Sequence, residues 1–273
     1  MLQLNEIKHY SCEIQSITQV ALRQVHNNTR MVPTTPTFGL KADMKIDNPY
    51  ILMNQLSASV LWIEGGPPET SSAVQAGWVA APALFPDTDT HLFTFWRDGP
   101  TKGGFNTDGG GFVQVDSYVS VGVTLEASKY GAEIVKAATF FIHQDMKTEN
   151  WWLSLTGTEP HDIGYWPVEM VPNLRHGANY FSWGGIVRFL ENASVPQMGT
   201  GQFPDGENSD ASKVSAMWKL QFVDQSNVLK EPEDISLFKT AVDNRHCCDL
   251  KFNEHYRTDL GYRLFFGGPG GNC

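Results

Sequence analysis

The segment NYFSWGGIVRF, residues 179–189, is rich in aromatic and β-branched residues, which predicts a β-strand. On a period of two, Gly184 and Ile186 lie on one face of that strand. Glycines inside a strand cost stability and often mark a place where a ligand or another backbone comes close. The Gly-Gly pair therefore raises the question of what approaches this strand, and the apolar Ile186 restricts the chemistry available beside it.

Short segments of the same character recur along the chain, each bounded by Gly, Pro, Asp or Asn. They are residues 57–65, 73–84, 91–99, 111–125, 136–145, 150–157, 215–224 and 261–268. Many short strands without helical patterns between them predict an all-β fold, a sandwich or barrel of antiparallel sheets. Little helix is expected: a single turn within 171–178 and a helix over 233–242, which begins with acidic residues.

The first 35 residues differ in pattern from the rest of the chain. They are polar and irregular, and Pro33 and Pro36 mark the beginning of the domain. We therefore predict an N-terminal arm over 1–35 and a single domain over 36–273.

Charge and composition restrict the partners of the protein. The chain has 273 residues and a net charge of −10, without a cluster of Lys and Arg. A nucleic acid or an anionic membrane surface is therefore not expected as a partner. No segment reaches the roughly 18 consecutive apolar residues of a membrane span. The oligomeric state is left open.

Localisation and cysteine chemistry are predicted together. The first residues, MLQLNEIKHYSC, lack the basic and apolar regions of a secretory signal, so a cytoplasmic protein is expected, or a secreted one if a signal was trimmed. In a reducing compartment free thiols are favoured. The alternative is one disulfide from Cys247 or Cys248 to Cys273, with one thiol left over.

No pattern for a metal or a cofactor is present. Four histidines are not at the spacing of metal ligands: His91, His143, His161 and His176. The glycine-rich segments 108–112 and 267–272 lack the lysine of a phosphate-binding loop and are better explained as turns. We therefore expect no metal and no cofactor, and a small molecule as the substrate.

Several motifs in order resemble the neprosin family of β-sandwich glutamic peptidases. The motifs are FGLKADMKIDNP (38–49), SASVLWIEGG (57–66), VQAGWVAAPALFPD (74–87), LFTFWRDG (92–99), GGFVQ (110–114), NWWL (150–153), IGYWPVEMVPNL (163–174), WGGIV (183–187), QMGTGQFP (197–204) and GYRLFFGGPGGNC (261–273). The resemblance covers about residues 36 to 273. It implies a sandwich of two antiparallel sheets with a cleft across one face.

The same resemblance implies where the catalytic glutamates of the peptidase members would lie. One lies just before Ala-Gly-Trp, where this sequence has Gln75, and the other follows Trp-Gly-Gly, where it has Ile186. Gln75 can donate a hydrogen bond but cannot titrate, and Ile186 can do neither. General acid and base groups are each worth about 10²–10⁴ in rate, so peptide hydrolysis is not expected here.

Gln75 is the candidate catalytic residue, and other side chains are candidates for binding the substrate. They are Trp78, Trp96, Asp98, Tyr165, Trp166, Trp183, Gly184, Ile186 and Gln197. The simpler explanation for the tryptophans is a place in the core or the cleft wall. For the polar residues it is a hydrogen bond in a turn or at a strand end. Small residues near Gln75 and Ile186, among them Gly77, are expected to keep the cleft open.

Three functions remain open. The first is a cofactor-free cyclase or isomerase that acts on a small, largely apolar biosynthetic intermediate in the cleft. The second is a glutamic endopeptidase, of the prolyl type, with substitute catalytic residues such as Glu64 or Asp98. The third is a binding module without chemistry. The absence of both glutamates favours the first and the third over the second.

Overall fold

The computed structural model describes residues 22–31, 35–206, 209–232, 238–253 and 259–272. Its strands are β1 (Leu22–Met31), β2 (Gly39–Lys45), β3 (Leu56–Gly65), β4 (Ser72–Ala80), β5 (Thr90–Asp98), β6 (Lys102–Phe105), β7 (Val113–Gln114), β8 (Ala137–Gln144), β9 (Trp151–Thr156), β10 (Pro160–Trp166), β11 (Tyr180–Leu190), β12 (Ser215–Val223), β13 (Leu229–Lys230), β14 (Phe238–Val242), β15 (Asp249–Asn253) and β16 (Arg263–Gly267).

The strands form two antiparallel sheets. The first sheet has seven strands in the order β14-β1-β11-β3-β4-β5-β6. The second has nine, in the order β15-β16-β12-β2-β8-β9-β10-β7, with β13 paired to β12. Apolar side chains from both sheets form one core between them, in which Trp78, Trp151, Trp166 and Trp183 are fully buried. The predicted all-β sandwich is confirmed.

Helix is confined to short turns in the described part of the chain. The 3₁₀ turns there are Asp108–Gly110, Val168–Met170 and Pro172–Leu174. The last of these lies within the single turn predicted for 171–178. The helix predicted over 233–242 is wrong for its second half, which is strand β14, and its first half lies outside the described residues. In β14 the segment pairs with β1, and this pairing overrides its local helical pattern.

The prediction that residues 1–35 are irregular is wrong for 22–31. This segment is β1, which pairs with β11 over its whole length and with β14 at its C-terminal half. Val25, Thr29 and Met31 are buried on the core side, whereas His26 lies on the other side. The segment shows no alternation in sequence, because its apolar residues Leu22, Val25 and Met31 do not share one parity. Residues 1–21 lie outside the described part of the chain.

Candidate functional site

The outer face of the first sheet brings Gln75 and Ile186 together. Opposed residues in an antiparallel pair place their side chains on one face. Trp62 on β3 is opposite Gln75 on β4, and Ala58 on β3 is opposite Ile186 on β11. Trp62 and Ala58 share a face because they are an even number of residues apart. Strand β3 therefore lies between the two residues where the resemblance implies catalytic glutamates, and both side chains face away from the core between the sheets.

Gln75 and Ile186 both line one recess on this face. Its empty volume, with the open mouth included, is about 280 Å³. The remaining lining residues are Leu56, Ala58, Val60, Val79, Phe93, Phe95, Phe105 and Arg188. The cavity volume that can be compared with those of known ligand pockets is only about 20 Å³, so the recess is a shallow depression that would receive one end of a ligand. Its surface is apolar apart from one amide and one guanidinium.

The lining determines which chemistry the recess can support. Among the described residues that line it, none is a carboxylate. The side chain of Gln75 is 4% exposed, so its amide acts in a desolvated place where a hydrogen bond is stronger than in water. The amide can donate to a carbonyl or enolate oxygen, but it cannot exchange a proton as an acid or base.

Glu64 is a carboxylate on the same face, outside the residues that line the recess. It lies opposite Tyr180 on β11, and its carboxylate accepts hydrogen bonds from Arg97 Nη2 at 2.7 Å, Ser71 Oγ at 2.6 Å and Trp62 Nε1 at 3.1 Å. These partners hold the side chain in place. Glu64 therefore remains a possible substitute acid.

Asp98, the other proposed substitute, lies on the opposite face. It is opposite Ser72, whose Oγ donates to Asp98 Oδ1 at 2.9 Å, and it pairs with Lys102 at 3.6 Å. Ser72 has the same parity as Trp78, which faces the core. Asp98 therefore makes its contacts at the C-terminal end of strand β5 and does not line the recess.

The four candidate tryptophans do not line the recess. Trp78, Trp96, Trp166 and Trp183 all lie in the core between the sheets, on the side of the first sheet away from Gln75. Trp78 Nε1 donates to the carbonyl of Lys45 at 2.7 Å. Of the two places expected for them, the core and the cleft wall, the structure shows the core, so their assignment as substrate-binding residues is wrong. Phenylalanines form the wall instead.

Tyr165 and Gln197 also lie elsewhere. Tyr165 is on β10 in the second sheet and packs against Trp152, with 4.9 Å between the ring centroids. Gln197 Oε1 accepts a hydrogen bond from the backbone N–H of Tyr50 at 3.2 Å, which holds a loop. Both side chains therefore have a structural contact in place of a contact with the recess.

The glycines are explained by neighbouring protein atoms. A Cβ on Gly184 would lie 2.1 Å from the carbonyl oxygen of Asn27 in β1, and one on Gly185 would lie 2.7 Å from the ring of Phe266. A Cβ on Gly77 would lie 1.8 Å from the oxygen of Ser59. What approaches the Gly-Gly pair is thus a strand on one side and the core on the other, and the expectation that these glycines keep the cleft open is corrected.

The sequence reasoning missed four residues beside the recess. His26 on β1 lies directly opposite Ile186, and its ring contacts Asp243 and Gln24. Gln24 in turn contacts Arg188, which lines the recess. Residues 22–31 do not alternate between apolar and polar side chains, so neither the strand nor its neighbours could be predicted from local pattern.

The cysteines differ from the favoured prediction. Cys247 is disulfide-bonded, whereas Cys248 is a buried free thiol. Burial raises the pKa of Cys248 to about 12, so its reactive thiolate form is suppressed. The cytoplasmic location stays a prediction.

Two further features concern the described residues only. No group of three or more His, Cys, Asp or Glu side chains in that part of the chain is arranged to hold a metal ion. None of the helices described there has the length and hydrophobicity needed to cross a membrane.

Comparison with known proteins identifies the family. Eight solved chains match the fold. One, scytalido-glutamic peptidase with a transition state analog inhibitor, has a TM-score of 0.50 at 7% identity and covers 90% of this chain and 98% of its own. Another, SCP-B of the eqolisin family in complex with a tripeptide, has a TM-score of 0.49 at 7% identity with the same coverage. At this identity the first match shows the fold alone. The neprosin family model matches residues 53–269, and the chain therefore belongs to the neprosin family.

Proposed function

We propose that this neprosin-family protein binds a small, largely apolar molecule in the recess and catalyses its cyclisation or isomerisation without a cofactor. The observation that carries the proposal is the lining of the recess. Where the peptidase members of the family are expected to have two glutamates, the recess has Gln75 and Ile186, and most of the remaining lining is aliphatic or aromatic. Such a surface favours an apolar ligand, because binding removes apolar surface of both the ligand and the recess from water.

The chemistry follows from positioning and from one hydrogen bond. A folded ligand held between the phenylalanines and Ile186 is restricted to few conformers, which lowers the entropic part of the barrier. The Gln75 amide donates to an oxygen of the ligand and stabilises negative charge that develops there. Neither contribution needs a metal or a redox cofactor.

A glutamic peptidase with a substitute acid is the second candidate. Family membership and the peptidase-like fold support it, and Glu64 provides a carboxylate on the correct face. A binding module that uses the same recess without chemistry is the third.

Two assays on the whole protein separate these functions. In the first, a proline-rich peptide is incubated with the protein between about pH 2 and pH 6, the range in which carboxyl groups titrate. We expect no specific cleavage. Specific cleavage that disappears in Glu64→Gln would refute the proposed cyclase or isomerase and would support a glutamic peptidase.

The second assay measures binding of the neutral apolar dye N-phenyl-1-naphthylamine by fluorescence. We expect saturable binding that Ile186→Glu weakens at least tenfold, because the new carboxylate is desolvated beside the dye. Leu52→Glu is the matched control, since Leu52 is 55% exposed and is not among the lining residues. Binding that is unchanged in Ile186→Glu would refute the recess as the site. Turnover of an identified ligand that Gln75→Ala abolishes would establish catalysis, and binding without turnover would favour the module.

A further inference from the structure

A continuous chain of side-chain contacts leads from the surface to the recess. Asp243 Oδ2 accepts from the backbone N–H of His26 at 2.9 Å and lies 3.1 Å from His26 Nδ1. His26 Nε2 lies 2.5 Å from Gln24 Nε2. Gln24 Oε1 accepts from Arg188 Nε at 2.8 Å. Arg188 lines the recess, and the chain therefore ends at the ligand site.

The donor and acceptor roles along this chain can be assigned from the partners. An ionised carboxylate only accepts, so His26 Nδ1 carries the proton that it donates to Asp243. His26 Nε2 is then the acceptor for the Gln24 NH₂ group, which fixes the amide with its oxygen toward Arg188. The hydrogen bond from His26 lowers the pKa of Asp243, in agreement with an ionised carboxylate. All three contacts are thus satisfied by one arrangement of protons.

Arg188 is the charged residue of a lining that is otherwise apolar or amide. Its guanidinium is half-buried and has five N–H donors, so it can hold Gln24 and a ligand oxygen even with a further protein partner. A planar guanidinium binds carboxylates with two parallel hydrogen bonds when its orientation is fixed. The contact with Gln24 provides such an orientation.

We propose that the ligand of the recess is an apolar molecule with one anionic oxygen group, such as a carboxylate, and that Arg188 binds this group. In this arrangement Gln24, His26 and Asp243 are positioning residues that act through Arg188. The inference rests on the proposed function, because it takes the recess as the binding site, and it adds the chemical class of the ligand.

The test compares decanoate with 1-decanol, which has the same chain without the charge. Each displaces N-phenyl-1-naphthylamine from the wild type and from Arg188→Met at constant ionic strength. We expect Arg188→Met to weaken decanoate at least tenfold and to leave 1-decanol within twofold. Arg175→Met is the matched control, since Arg175 pairs with Glu149 and does not line the recess. It should leave both affinities unchanged.

Rescue by a conservative variant distinguishes positioning from a structural role. His26→Ala removes the acceptor for the Gln24 NH₂ group, so the amide can turn and its NH₂ group can face Arg188. The preference for decanoate over 1-decanol should therefore fall at least threefold in His26→Ala. His26→Gln has an amide that can donate to Asp243 and accept from Gln24, and it should restore the preference.

A preference that His26→Ala leaves unchanged, or that His26→Gln does not restore, would overturn the positioning role.

The outcomes separate the two proposals. Equal affinity for decanoate and 1-decanol, with no effect of Arg188→Met, would overturn the anionic ligand class while dye binding in the recess still stands. Failure of the dye to bind, or binding that Ile186→Glu does not affect, would overturn the proposed function itself.

Discussion

Replacement of Gly184 by alanine should destabilise the first sheet strongly. The Cβ of the new residue would lie 2.1 Å from the carbonyl oxygen of Asn27 and 2.6 Å from the Cα of Asn28, both in β1. Neither atom belongs to a flexible side chain, so the whole strand has to move. The φ angle of Gly184 is +154°, which is also unfavourable for a residue with a Cβ.

The magnitude follows from these two contributions. A non-glycine residue in a sparsely populated backbone region costs about 1–3 kcal/mol. Overpacking in a well-packed region costs about 1–3 kcal/mol more. We expect the free energy of unfolding to fall by roughly 3 kcal/mol, a large part of the ~5–15 kcal/mol typical of a domain. For a chain of this size the melting temperature would fall by about 6–12 °C.

Urea unfolding followed by tryptophan fluorescence measures the loss, and three other glycines separate its causes. Gly77→Ala has the steric collision alone, because the angle at Gly77 is not positive and Ser59 O lies 1.8 Å from the new Cβ. Gly131→Ala has the positive angle alone, at +69°, with no atom within 4 Å. Gly157→Ala has neither feature and should change stability by less than about 0.5 kcal/mol.

The reasoning depends on β1 lying beside β11. If Gly184→Ala unfolded at the same urea concentration as Gly157→Ala, no strand would lie in contact with Gly184 in solution. The pairing of β1 with β11 would then be wrong, and so would the series of side-chain contacts from Asp243 to Arg188.

Three further predictions concern buried and acidic groups. Lys45 and Asp47 form a buried ion pair at 2.8 Å. Lys45→Met should therefore lower the free energy of unfolding, measured by urea unfolding, by about 3–5 kcal/mol. A loss smaller than that of Gly157→Ala would contradict this. Cys248 should not react with a thiol reagent at pH 8 until the protein unfolds, because burial raises its pKa to about 12. Hydrogen bonds from backbone N–H groups lower the pKa of Asp116 and Asp145 in the folded protein. Because the unfolded chain then binds protons more readily, the free energy of unfolding should fall as the pH drops below about 4. Melting temperatures that do not change from pH 5 to pH 3 would refute this.

Much of the fold was predictable from local pattern. Alternation within single strands predicted the all-β class, and the ordered motifs predicted the family that the family model confirms. Strand β1 was not predictable in this way, because its apolar residues Leu22, Val25 and Met31 do not follow a period of two. The absence of a carboxylate at residues 75 and 186 was likewise visible in the sequence, since it depends on residue identity alone.

The site itself was decided by contacts between distant segments. Period two shows which residues of one strand share a face, but it does not show which face the second sheet covers. For this reason the sequence left Trp78 and Trp183 as possible wall residues, whereas sheet packing places them in the core. In the same way Gly184 is explained only by the strand beside it, and Arg188 meets Gln24 only because β1 and β11, about 160 residues apart in sequence, pair in register. The sequence by itself determined most of the central strands, the family and the absence of the two acids, because these depend on local pattern and residue identity. Strand pairing and the choice of buried face determined β1, β14 and the residues that form the recess.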